Sequence, residues 1–324
     1  MRNRPRITVL GSLNMDISVT VPRLPEPGAT VLGSAARFTP GGKGANQAVA
    51  AARLGAGVRM AGCVGDDDFG RRLLAALREE GVDHDGVRVT AGAPTGLAMI
   101  SVDPAGENII TVAPGANHEV GAAEIAAAAN GPADVLVICA EIPVPAIKAA
   151  LTKTVLTKTV LTKTVLTKAG RCILNLAPAP PEPDAAAIVA AGVDWLVVNE
   201  TEAGAVLGRP VRGLAEAAEA AAALLTAGAR HAVVTAGAHG AALAGPDATG
   251  TVSAFRVDAV DTVGAGDTFV GALAVALAAG IPAAEAVRAA SAAAATAATR
   301  PGAQAGMPRP ADILAATGVG WPAG

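Results

Sequence analysis

An α/β fold, with a mostly parallel central sheet flanked by helices on both faces and a small β-sheet lid, is predicted by the order of residues along the chain. Apolar, β-branched runs of strand length alternate with alanine-rich helical stretches, which is the pattern of βαβ units. Two regions depart from it. Residues 17–38 and 96–112 carry shorter alternating segments, separated by Pro25-Glu26-Pro27-Gly28 and by Asp103-Pro104-Ala105-Gly106, which are turn formers between half-buried strands. If these regions pair, they make one discontinuous antiparallel sheet positioned to cover a ligand. The expected division is a core of 1–12, 39–95 and 113–324, and a lid of 13–38 with 96–112.

The core strands are expected at 7–11, 58–63, 135–139, 172–176, 195–198 and 231–235, each a short apolar run bounded by glycine or charge. The first ends at Gly11 and the second follows Gly57. Helices are expected between and after them, at 46–54, 69–80, 214–227, 268–279 and 283–298, of which all but 69–80 are dominated by alanine. Residues 151–168 break the order, because Leu-Thr-Lys-Thr-Val recurs three times and then restarts with Leu166-Thr167-Lys168. A period of five turns a helical pattern by roughly 140° per repeat and flips a strand pattern to its other face, so neither form keeps an apolar side. The repeat reads as a tandem expansion that lengthens a surface helix after Pro145, since solenoid repeats are longer and bury one another.

Composition removes several functions. The net charge of −3 and dispersed basic residues argue against nucleic acid or an anionic membrane as partner. The mean hydropathy of +0.45 reflects alanine rather than spanning segments. The longest uncharged run near the C-terminal end, 268–284, contains Gly271, Gly280 and Pro282 and is too short to span. The apolar stretch 7–13 is too short for a signal core, so no export signal is expected. The three cysteines, Cys63, Cys139 and Cys172, are far apart and form no CxxC pair, which speaks against disulfides or zinc and for a reducing cytoplasm. The four histidines, His84, His118, His231 and His239, lack metal-ligand spacing. Gly11-Ser12-Leu13-Asn14 follows the first strand in place of a GxGxxG turn, which disfavours a dinucleotide fold.

The polar residues that remain gather at strand ends and helix starts. Asp261-Thr-Val-Gly264-Ala265-Gly266-Asp267 enters a helix from a glycine-rich turn, whose N–H groups and helix dipole suit the charge on a transferring phosphoryl group. Asp267 is then either the helix N-cap or a base for a hydroxyl nucleophile. Pro40-Gly41-Gly42-Lys43-Gly44-Ala45-Asn46-Gln47 also leads into a helix, but lacks the Walker spacing. Its glycines permit close backbone approach, and Lys43 and Asn46 offer donors to hydroxyls; a capped helix with a solvated lysine is the alternative. Asn14 and Asp16 share one side of an extended segment and are either joint ligands or turn residues. Glu141 follows a strand at the carboxyl edge, where open α/β sheets bind ligands. Asn199 and Glu202 lie at the same edge, suited to magnesium through water or to a helix cap. Thr235, Gly237 and Gly240 form a turn able to take nucleotide phosphates or ribose.

Together, Asn14-Met-Asp16, Gly41-Gly-Lys-Gly-Ala-Asn-Gln47, Asn199-Glu-Thr-Glu202 and Asp261-Thr-Val-Gly-Ala-Gly-Asp267 resemble the ribokinase family of sugar and nucleoside kinases, over most of 7–308 except the repeat. The resemblance implies transfer of the ATP γ-phosphate to the ribose 5-hydroxyl, a β-sheet lid that also joins a homodimer, magnesium, and activation by potassium. It implies Asp267 as base, the N–H groups of Gly264, Ala265 and Gly266 as an anion hole, and Asn14, Asp16, Gly41, Gly42, Lys43, Asn46 and Glu141 as sugar ligands. It implies Asn199 and Glu202 for magnesium and phosphate, and Thr235, Gly237 and Gly240 for the nucleotide. Asp261, Val263, Ala297, Arg300 and Gly302 match the family's potassium site, mostly through carbonyls, but Gly306 stands where a serine hydroxyl commonly ligates that ion. Deoxyribose, a nucleoside or a hexose are alternative acceptors, and a non-catalytic sugar-binding protein on the same fold is the alternative class.

Overall fold

The computed structural model describes residues 4–159 and 170–322. The chain begins β1 (Arg6–Leu10), β2 (Asn14–Thr20), β3 (Arg37–Gly41), α1 (Lys43–Arg53), β4 (Gly57–Gly65), α2 (Asp68–Glu79), β5 (Asp83–Thr90), β6 (Gly96–Val102) and β7 (Asn108–Ala113). It continues α3 (Ala122–Ala129), β8 (Val135–Cys139), α4 (Val144–Thr159), β9 (Arg171–Asn175), α5 (Asp184–Ala190), β10 (Val193–Asn199), α6 (Glu200–Leu207), α7 (Gly213–Ala227) and β11 (Ala229–Thr235). It ends β12 (Gly240–Ala244), β13 (Gly250–Ser253), α8 (Ala265–Ala278), α9 (Ala283–Ala297), α10 (Ala303–Gly306) and α11 (Pro310–Thr317). The repeat begins inside α4, and its residues 160–168 lie outside those described.

The large sheet has the order β13-β12-β11-β10-β9-β8-β1-β4-β5, parallel except for the β11–β12 and β12–β13 pairs. Continuous apolar strands are what a sheet covered on both faces requires, because successive side chains point to opposite sides. In β10, Trp195 and Val197 join a core with residues of α1, α8 and α9, whereas Leu196 and Val198 join another with residues of α4, α5, α6 and α7. The helices therefore form two layers, as the sequence predicts. β1 pairs with both β4 and β8, so the connections diverge at β1 and leave a crevice beyond its carboxyl end.

The small sheet has the order β3-β2-β6-β7. It differs from the expected antiparallel sheet at its centre, because β2 and β6 pair in parallel, while β2–β3 and β6–β7 are antiparallel. The reason lies in the core: β1 and β5 run parallel within one sheet, and each hands the chain to the small sheet from its carboxyl end, so β2 and β6 set out in the same direction. Met99, Ile109 and Ile110 remain exposed on this sheet.

Candidate active site

The first half of the site is built where β1 gives way to β2 and β3 leads into α1. Gly42 caps α1 at φ 87°, and a Cβ there would meet the backbone of Leu13 and Asn14 at 2.8 and 2.5 Å. Only glycine fits so close a crossing with a left-handed backbone. Register then sets Asn14 opposite Gly41 and Asp16 opposite Thr39. Glu141, just beyond β8, reaches this crossing: its Oε2 accepts from Ser12 Oγ at 2.5 Å, Asn14 Nδ2 at 3.0 Å and the Lys43 N–H at 3.3 Å. Asn117 in turn donates to Asn14 Oδ1 at 2.7 Å and exchanges bonds with the Leu13 backbone, which fixes the orientation of the Asn14 amide.

Asp16 is buried beside these groups. Burial, reinforced by the charges of Glu141 and Asp267 and opposed by Lys43, pushes its carboxyl up to about 7. The Lys43 ammonium is held above its ordinary value, chiefly by the Asp267 charge, with Glu141 and Glu202 adding to it against burial. Asp16, Glu141, Glu202 and Asp267 therefore share the field of one lysine, and Asp16 takes up a proton near neutrality.

The second half is the start of α8. Gly264, at φ 79°, caps the helix with a Cβ position only 2.8 Å from the Ala303 Cα, so the turn needs glycine. Asp267 stands inside the first turn rather than at the cap. Its carboxylate reaches across to α1, where Oδ2 accepts from Asn46 Nδ2 at 2.9 Å and Oδ1 from Gln47 Nε2 at 3.1 Å. The N-cap alternative is thus set aside. The N–H groups of Gly264 and Gly266 have no hydrogen-bond partner among the described residues, as expected at a helix start, whereas that of Ala265 donates to Thr262 O at 3.2 Å.

A cavity of about 760 Å³ opens beside this helix start. Thr235, Gly237 and Gly240 line it together with Ala265 and Gly266, so the turn after β11 and the glycine turn face one space. Phe255, Ser291 and Ala294 also line it, although no local pattern in the sequence marks them. Asn199 and Glu202 form a reciprocal capping box at α6, with Asn199 Oδ1 accepting from the Glu202 N–H at 2.9 Å and Glu202 Oε2 from the Asn199 N–H at 2.8 Å. Glu202 remains buried and its carboxyl is raised by that burial, with the Asn199 bond and Lys43 pulling the other way. Asp261 lies behind the glycine turn, accepting from the Val263 N–H at 2.9 Å and the Gly302 N–H at 2.8 Å. The carbonyl oxygens of Ala297 and Arg300 converge on Gly306, each 3.1 Å from where a Cβ would stand.

The predicted residues therefore fall into neighbouring groups around Asp267: the Asn14, Asp16, Lys43 and Glu141 crossing, the amides of Asn46 and Gln47, and the cavity behind the glycine turn. Ser12, Asn117, Asn175 and Gln304 support them and carry no motif. Among the described residues no helix is long and apolar enough to cross a membrane.

Residues 4–310 match the model of the pfkB family carbohydrate kinases. The chain is 34% identical to the ribokinase of Haemophilus influenzae across 96% of its own length and 98% of that protein. It is 37% identical to the ribokinase of Bacillus subtilis across 95% of its length and 97% of that protein. The structure of Arabidopsis thaliana ribokinase complexed with ribose and ATP superposes with a TM-score of 0.81 at 30% identity, covering 96% of this chain and 98% of that one. With its nine-stranded sheet between two helix layers, its small second sheet and this match over residues 4–310, the chain belongs to the pfkB family of carbohydrate kinases.

Proposed function

We propose that this protein transfers the γ-phosphate of ATP to the 5-hydroxyl of D-ribose, giving ribose 5-phosphate and ADP, with Asp267 as general base. The observation that carries this reading is the reach of the Asp267 carboxylate to α1 from a helix start whose Gly264 and Gly266 N–H groups lack partners among the described residues. A hydroxyl held on the α1 side would meet the base and the arriving phosphoryl group together. The proton passes from the 5-hydroxyl to Asp267 as its oxygen attacks phosphorus and the bond to ADP breaks. The Gly264 and Gly266 N–H groups receive the charge that develops on the transferring oxygens, and the Ala265 N–H would join them only by leaving Thr262.

Ribose would lie against Asn14, Asp16, Gly41, Gly42, Lys43, Asn46 and Glu141. Charged and amide groups at this density suit a ligand carrying several hydroxyls, and a site that reads hydroxyls rejects analogues leaving its polar groups unpaired. The mostly apolar cavity past Thr235, Gly237 and Gly240 suits a purine nucleotide. Asn199 and Glu202 fit a magnesium ion held mainly by phosphates and water, since the buried Glu202 carboxylate keeps acceptor capacity beyond its cap bonds. When bound, the ion would neutralise charge on the β- and γ-phosphates. Exposed apolar side chains on the second sheet, Met99, Ile109 and Ile110 among them, support a lid of 13–38 with 96–112 that also joins two copies as a homodimer. A cytoplasmic setting suits the three buried cysteines, Cys63, Cys139 and Cys172.

A panel of ribose, deoxyribose, hexoses and nucleosides, assayed with ATP for ADP release, tests the proposal. Ribose should have the largest kcat/KM; a nucleoside preferred by about tenfold or more would replace it as the acceptor. Potassium is expected to stimulate the rate, because the Ala297 and Arg300 carbonyls converge beside the Asp261 loop that leads into the glycine turn. With Gly306 offering no hydroxyl, the half-saturating potassium concentration should be high. Equal rates in potassium and in a large organic cation would remove the ion from this site.

A further inference from the structure

We propose that Gln47, held by Asn175, is a positioning residue that orients the Asp267 carboxylate for proton acceptance, an inference that rests on the kinase reading above. The direction of each amide follows from a fixed end. The Val197 carbonyl in β10 can only accept, so Asn175 presents Nδ2 to it at 3.2 Å and turns Oδ1 toward α1. Gln47 must then meet Asn175 with nitrogen, donating from Nε2 at 2.9 Å, and the same nitrogen gives its other hydrogen to Asp267 Oδ1 at 3.1 Å. On the far side, Gln304 Nε2 donates to Asn46 Oδ1 at 3.1 Å, which turns Asn46 Nδ2 onto Asp267 Oδ2. Both carboxylate oxygens are thereby held by neutral donors, so the carboxylate cannot rotate freely, and each oxygen keeps a lone pair for a hydroxyl.

Gln47 is fully buried, yet its Oε1 has no hydrogen-bond partner among the described residues. A buried carbonyl without a donor destabilises the fold, and an apolar side chain of the same length would remove that cost. The glutamine therefore serves for its two donations and not for packing.

The test is steady-state kinetics with ribose and ATP, together with thermal unfolding, on the native protein, Asp267→Asn, Gln47→Met, Asn175→Leu and the double variant. Gln47→Met should lose about 10- to 100-fold in kcat, a misplaced group costing that much, while KM for ribose stays within about threefold. Its Tm should stay within a few degrees of native, because the orphan Oε1 is gone while Asn175 Oδ1 loses its donor, and the double variant, which removes that oxygen too, should unfold no earlier than Gln47→Met. Asn175→Leu should lose less, and the double variant should be no slower than Gln47→Met, since Asn175 acts through Gln47. Asn175→Leu leaves α1 intact and carries the test if Gln47→Met does not fold. Native-like kcat in Gln47→Met, or losses that multiply in the double variant, would overturn the positioning role while leaving the kinase reading in place. A native protein inactive on every sugar, or an active Asp267→Asn, would overturn the base and with it the positioning.

Discussion

Asp267→Asn is expected to lower kcat by about 10³-fold or more while ribose still binds to within about tenfold, because removal of a general base costs roughly 10²–10⁴ and the amide cannot take the proton. The side chain keeps its volume, so the crossing of β2, β3 and α1 that is proposed to hold the sugar should be undisturbed. One adjustment is forced. Asn46 and Gln47 both offer nitrogen to the native carboxylate, and the new amide presents a nitrogen of its own to one of them. Gln47 cannot turn over without breaking its bond to Asn175, so the oxygen of the new amide should face Gln47 and the strain should fall on Asn46. The N–H groups of Gly264 and Gly266, which have no partner among the described residues, survive the substitution, and residual transfer from orientation alone should remain above the uncatalysed rate. ADP release reads the first quantity and calorimetry with ribose the second. A variant with more than a tenth of native kcat would remove Asp267 from the chemistry.

The proposed base is legible in the sequence where its surroundings are not, and the reason is physical. A glycine-rich turn entering a helix has to leave N–H groups without partners, so the Asp261 to Asp267 segment declares an anion site in its own residues. What holds the carboxylate does not lie nearby in the chain. Asn46 and Gln47 belong to the glycine motif that opens α1, yet nothing in that motif tells of their contact with Asp267, and Asn175 at the end of β9 and Gln304 in α10 are each a single amide in an unremarkable context. The fold shows the same division. β1, β8, β9 and β10 are buried on both faces and read as continuous apolar runs, whereas β5 is an edge strand whose Asp83-His-Asp-Gly-Val-Arg-Val-Thr carries too little apolar patterning to predict. Pairing direction at the centre of the small sheet does not follow from its turns, because hairpin turns report only on neighbours in sequence. The parallel β2–β6 contact comes from the two core strands that feed it.

Asp16→Asn should move affinity and stability in opposite directions. The native carboxyl stands at about 7 rather than 3.8, so between those values the folded protein binds a proton that the unfolded chain releases. Its contribution is most favourable below the ordinary carboxylate range and is lost as pH rises through 7; the sugar-free protein should therefore unfold more readily at pH ~8 than at pH ~5.5 as far as this group decides. An asparagine cannot ionise. Substitution should flatten that part of the pH dependence and raise Tm at pH ~8, by roughly 2–4 °C for each kcal/mol recovered. Ribose pulls the other way. Hydroxyls donate best to an ionised carboxylate, and a bond to a charged group is worth about 1.5–3 kcal/mol, so losing the charge at a residue proposed to accept from the sugar should cut kcat/KM by about 10- to 10²-fold. In the native protein the affinity for ribose should climb as pH rises through 7 and then level off, whereas the variant should show no such step. Thermal unfolding at the two pH values and KM for ribose across them check both limbs. A variant that loses stability at pH ~8 would mean that Asp16 is held for the fold, and unchanged ribose affinity would place the sugar away from the β2 edge.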